Sequence, residues 1–174
     1  AALGDQGANE ELSRAMSGIQ NIAGTLDDGL GTDLTKLWSA FTDLAANPQA
    51  ITARSAVLDA GARLAATLRN AATSVDNLAS SSTARLRDSA DQVNVLAKQV
   101  ASLNAQILDV VTAGGTPNDF LDQRNVAVEQ LAKLTGAEVR TSGPTIDVTV
   151  GGTLLVAGVH TETLTVDGTP PVVN

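Results

Sequence analysis

The side chains best suited to chemistry stand together in one short segment, Pro117-Asn118-Asp119-Phe120-Leu121-Asp122-Gln123-Arg124-Asn125. It holds three amides, two carboxylates and one guanidinium. Such a set could seat a polar ligand or supply a general acid and base, because carboxylates exchange protons and a guanidinium grips anions with two parallel donors. Helix chemistry offers a plainer use. Thr116 can cap a helix, with Pro117 at the first helical position, where a missing N–H costs nothing. Asp119 lies three residues on and can reach back, or Asn118 is itself the cap one step later. Acids in the first turn oppose the positive end of the helix dipole. Arg124 is long enough to lay its stem along a neighbouring helix and bond carbonyls or acids there. The expected work of Thr116, Asn118, Asp119, Asp122 and Arg124 is therefore helix capping and packing.

The remaining candidates for chemistry are sparse. His160 is the only histidine and the chain has no cysteine, a poor basis for a zinc site or a thiolate nucleophile. His160 falls in an expected turn or strand end. A small hydrolase would have to use it, yet no Gly-x-Ser-x-Gly turn surrounds any serine. Gly114-Gly115 precedes a helix, but no lysine follows and no strand comes before, so neither phosphate-loop fingerprint is met. The acid pairs Glu10-Glu11 and Asp27-Asp28 lack the alternating oxygen ligands of a calcium loop. No catalytic residue, cofactor or metal is expected.

Composition narrows the function further. The chain has 174 residues, a net charge of −8 and a pI of about 4.4. That acidity, with no basic cluster, argues against nucleic acid and against an anionic membrane surface. No apolar run approaches the roughly 18 residues of a membrane span. Aromatic residues are only 2% of the chain, and much of the hydrophobic content is alanine. This composition suits an elongated helical body better than a compact enzyme, which draws more buried area from aromatic rings.

Apolar spacing sets out the elements. Leu12, Met16, Ile19 and Leu26 share a helical face, giving a helix over 9–26 with Asn9 as its cap. Asp27 to Thr32 contains two glycines and is expected to break it. A second helix over 33–46 carries Leu34, Leu37, Trp38, Phe41 and Leu44 inward and stops before Pro48. From 50 to 112 the apolar stripe runs through Leu64, Leu68, Val93, Leu96, Val100, Leu103 and Ile107. An eleven-residue offset from Val75 to Leu86 keeps it on one helix; a break at Ser80 to Thr83 is the other reading. A helix over 117–134, with Leu121 and Leu131 inward, follows. Alternation then marks a small antiparallel β meander over 137–168, including Val139, Ile146, Val148, Val150, Leu154, Val156, Leu164 and Val166. Residues 169–174 read as a linker or truncated end. The fold class is α+β, mainly α: an elongated bundle of long helices, residues 1–136, with a small meander at the C-terminal end. The core seam is expected at Trp38, Phe41, Leu44, Leu64, Leu68, Val93, Leu96, Val100, Leu103, Ile107, Leu121 and Leu131.

Four ordered blocks carry a family likeness. Asn118 to Asn125, followed by Glu129 to Val139, resembles the "NDLLDQRD…EL.K..G..V" segment of the FlgK family of flagellar hook-associated proteins. Val93 to Ile107 resembles its "IN.LAKQIA.LN.QI" helix. Leu37 to Pro48, with Ala53-Arg54, resembles "FF.SL.DLS.NP…AR", with Trp38 where the family has phenylalanine. Ile146 to Gly158 resembles its "G..LV.G" hairpin. The resemblance implies a non-enzymatic structural subunit of the bacterial flagellum at the junction of hook and filament. It also implies unfolded export through the flagellar secretion channel to an extracellular site. Implied partners are the hook protein, a second junction protein, further copies in a ring, and an export chaperone acting through terminal segments that this sequence lacks. Flagellin or another axial protein is the nearest alternative. A chemoreceptor-like signalling bundle is the alternative of another class, but it would need membrane spans and Glu/Gln methylation pairs.

Overall fold

The computed structural model describes residues 2–167, which hold three helices and one sheet. Helix α1 is Ala2–Ala46, α2 is Ile51–Thr112 and α3 is Asn118–Thr135. Strands β1 (Glu138–Ser142), β2 (Thr145–Val150), β3 (Thr153–Ala157) and β4 (His160–Thr161) form one antiparallel sheet in chain order. The fold is thus mainly helical α+β with a small meander at the C-terminal end. The expected linker at 169–174 lies outside the described residues. By internal contacts the chain divides into one unit formed by Arg14–Ser82 and another centred on residues 83–167.

In the first unit α1 and α2 pack antiparallel. The expected break at 27–32 is absent, because α1 runs unbroken through both glycines. Its glycines weaken a helix by about 1 kcal/mol each relative to alanine, but Gly29 serves the packing. A Cβ there would lie 3.3 Å from Thr67 Cγ2 of α2. One turn further on, Thr67 Oγ1 donates to Asp33 Oδ2 at 2.6 Å. The same continuity removes Asn9 as a cap and leaves no boundary between 26 and 33. The turn into α2 is tied by Arg54, whose Nε and Nη2 both donate to Pro48 O at 3.2 and 2.9 Å. At Ser80 to Thr83 α2 continues, and Ser81 Oγ donates back to Leu78 O at 3.0 Å. This satisfies a hydroxyl that otherwise competes for the backbone.

Two helices alone cannot surround a stripe, and the seam departs here from the sequence reading. Trp38 is 69% exposed, Phe41 46% and Leu68 49%, while Leu44 and Leu64 are half-buried. The face turned to α2 is centred on Ala40, and that of α2 on Ala60. Small side chains at these points allow close helix approach, which turns the larger side chains outward. The Trp38 and Phe41 rings contact each other instead, 6.4 Å apart and tilted by 50°.

The second unit holds the main core. Val93, Ala97, Val100 and Ala101 of α2, Ala127 and Leu131 of α3, Ile146 and Val148 of β2, and Leu155 and Val156 of β3 form one buried cluster. Leu103 and Ile107 are buried as well, whereas Leu96 and Leu121 are only half-buried. The stripe is centred on residues 93, 97, 100, 104 and 107, one position round from Leu96. Leu155 is the extra residue of a β-bulge, since Val148 pairs Val156 and Thr149 pairs Leu154. The bulge turns two consecutive residues of β3 inward, which simple alternation forbids.

Candidate functional site

The guanidinium of Arg124, on the second turn of α3, enters the interior of this unit and is 7% exposed. Its Nη1 donates to Asn104 Oδ1 of α2 at 2.9 Å and to Pro144 O, in the turn between β1 and β2, at 2.9 Å. Both acceptors are neutral. Desolvation lowers the guanidinium pKa from its ordinary value, and Nε is buried without a hydrogen-bond partner. The expectation that Arg124 would reach across to the long helix describes its direction; its partner there is an amide rather than an acid or a backbone carbonyl.

Asn104 is the centre of the node and is fully buried. Its Nδ2 donates to Ile146 O at 2.9 Å and to Gly158 O at 2.6 Å. Its Oδ1 accepts from Ile146 N at 3.2 Å as well as from Arg124. Two donors and two acceptor lone pairs are the whole capacity of an asparagine amide, and all four are used. The register of β2 and β3, continued past Val148 and Val156, sets Ile146 opposite Gly158. The side-chain amide therefore occupies the place of the next rung, where the two strands part. Asp147 Oδ1 accepts from Gly158 N at 2.9 Å, so that peptide is held on both sides.

Asn94 repeats the device ten positions earlier on α2. Its Nδ2 donates to Leu164 O at 2.9 Å and its Oδ1 accepts from Leu164 N at 2.8 Å. The Leu164 peptide is thus bonded to the helix rather than to a strand, and Leu164 and Val166 form no strand, contrary to the sequence reading. The β3–β4 ladder ends with Glu162 N donating to Leu155 O at 3.0 Å, and two residues on the Leu164 backbone turns to the helix.

The other expected cap residues do not converge on the node. Pro117 takes the N-cap position of α3 with φ −90° and ψ 42°, and no side chain caps it. Thr116, Asn118, Asp119 and Asp122 are exposed, with Asp119 in the first turn. The reason lies in the preceding turn. Gly115 N donates to Val110 O and Gly114 N to Val111 O, a Schellman closure of α2. It leads the chain into α3 through Pro117, one residue later than a Thr116 cap requires. At the other end of α3, Gly136 N donates to Ala132 O at 2.8 Å. His160 is exposed in β4, and among the described residues no group of three or more His, Cys, Asp or Glu could hold a metal.

Asn94 and Asn104 escaped the sequence reading, though a signal was present. Asparagine is a poor helix-interior residue, and Asn104 stands at the step after Val100 on the apolar stripe. A polar residue at a seam position implies a specific partner.

All the hydrogen-bonding capacity of Asn104 goes to the protein's own elements. The node ties two helices to a sheet, and the class it defines is a mainly helical α+β structural module. The chain belongs to the FlgK family: the family described as "Flagellar hook-associated protein FlgK helical domain" matches residues 16–173. It is 33% identical over 147 residues to flagellar hook-associated protein 1 of Escherichia coli, covering 82% of this chain and 27% of that protein. The Bacillus subtilis protein of the same name is 31% identical over 134 residues, covering 76% and 26%. The solved structure of the flagellar hook junction protein FlgK from Burkholderia pseudomallei is similar with a TM-score of 0.79 and 28% identity, over 92% of this chain and 29% of that one. The chain thus spans just over a quarter of the length of these relatives. The family is one of structural flagellar proteins, and among the described residues no helix is long and apolar enough to cross a membrane.

Proposed function

We propose that this chain acts as a structural, non-catalytic part of the bacterial flagellum, at the junction between hook and filament and outside the cell. The observation that carries this reading is the family match over residues 16–173. The proposed partners are the hook protein, a second junction protein and further copies of the chain in a ring. Export would proceed unfolded through the flagellar channel with a chaperone. The physical fit is mechanical. A junction transmits torque, and close-packed helices resist bending because any bend disturbs packing along their length. The Asn104 node would hold the meander against α2 and α3 under that load.

Deleting the encoding gene and viewing the cells by electron microscopy tests the reading. Bare hooks, with filament protein shed into the medium, are expected. Normal filaments on the deletion strain would overturn it.

A further inference from the structure

We propose that residues 162–167 form a strap that opens as a unit separate from the sheet, and that Asn94 is its latch. The strap begins where the β3–β4 ladder ends, at the single bond from Glu162 N to Leu155 O. Two residues on, both backbone polar groups of Leu164 are taken by the Asn94 side chain, at 2.8 and 2.9 Å. Between these points the strap bridges a cavity of about 180 Å³ lined by Val150, Thr153, Leu155, Glu162, Thr163 and Leu164. Leu164 is 37% exposed and Val166 half-buried, and neither belongs to the buried core cluster. Local opening follows where buried apolar contacts are few and hydrogen bonds are open to solvent.

The Asn104 node has the opposite character. Its bonds to Ile146 and Arg124 are buried, and Ile146 and Val148 beside it belong to the core cluster. The two asparagines therefore hold the β region with unequal strength. The latch also decides where strain is received. A pull on the chain beyond 167 meets α2 at Asn94 before it reaches the last rung of β4, and a rung at a strand end would otherwise open first. The strap's opening is a property of the chain alone and does not depend on the proposed flagellar role.

Amide hydrogen exchange, resolved by residue on the whole chain, tests this in the wild type and in Asn94→Ala. Asn94 is half-buried, and the variant removes two hydrogen bonds without opening the core. The Leu164 amide should exchange about 5- to 30-fold faster, the change expected for one to two kcal/mol, while Ile146 and Val148 keep their wild-type rates. Asn94→Asp, which keeps the acceptor for Leu164 N–H but sets an oxygen against Leu164 O, should also exchange faster than the wild type at Leu164. Unchanged exchange at Leu164 in Asn94→Ala would remove the latch. Equal acceleration at Leu164, Ile146 and Val148 would show that strap and sheet open together and would overturn the proposal.

Discussion

Arg124 of α3 donates to the side-chain oxygen of Asn104 on α2 at 2.9 Å, in the interior and across twenty residues of sequence. This bond joins two helices through an amide that also holds β2 and the β3–β4 turn. Loss of either partner therefore leaves buried polar groups on several elements, which is costlier than loss of one average hydrogen bond.

Asn104→Ala strands the N–H and C=O of Ile146, the C=O of Gly158 and one contact of Arg124. Each buried unpaired group costs about 1–3 kcal/mol, so a destabilisation of about 3 kcal/mol or more is expected in urea unfolding. Asn104→Asp should not restore stability. It would attract the guanidinium but set an acceptor against the Ile146 and Gly158 carbonyls.

Arg124→Lys keeps the charge but replaces the rigid planar guanidinium, whose Nη1 alone donates to both Asn104 and Pro144, with a compact ammonium on a flexible stem. A loss of about 1–3 kcal/mol is expected, from at least one buried acceptor left unpaired. A double-mutant cycle with Asn104→Ala should be strongly non-additive, because the two share one network. Additive losses would separate the residues.

Gly114 sits at φ 77° in the Schellman closure of α2. Alanine there should destabilise by about 1 kcal/mol, seen as a lower melting temperature. Gly115→Ala should also destabilise, for a different reason: its Cβ would meet Val110 Cγ1 at 2.9 Å.

Trp38→Ala should change the unfolding free energy by no more than about 0.5 kcal/mol, since the indole is mostly exposed and surface changes are small. A loss of several kcal/mol in this chain would place Trp38 in a core, as its spacing alone suggests.

Lys133 Nζ lies 2.8 Å from Glu129 Oε1, one turn apart on α3. The hydrogen bond and charge of Lys133 lower the Glu129 pKa below its ordinary value. A depressed carboxyl pKa gives stabilisation that is present above the unfolded value and is lost as pH falls through the folded one. The pair is exposed, so the effect on stability should be slight. NMR titration should find the Glu129 carboxyl shifted down in the wild type and back at its ordinary value in Lys133→Gln.

Much of this fold was legible in the residues themselves. Apolar recurrence marked the helical span from Ile51 to Thr112, glycines marked the C-terminal ends of α2 and α3, and alternation marked Ile146, Val148 and Val156. These are local regularities, fixed by helix and strand geometry along the chain. What the spacing could not set was the depth at which each stripe is buried, because depth depends on what stands opposite. Trp38 and Phe41 had the spacing of a core but lie on the open side of a two-helix unit. Gly29 had the sign of a break but stands against Thr67, which lets α1 continue. The tertiary structure alone made Asn104 a centre. Its four hydrogen bonds reach residues 20 to 54 positions away, and no local pattern encodes partners at that distance. Sequence determined where helix and strand are favoured; the approach of α2, α3 and the meander decided which polar side chains became their joints.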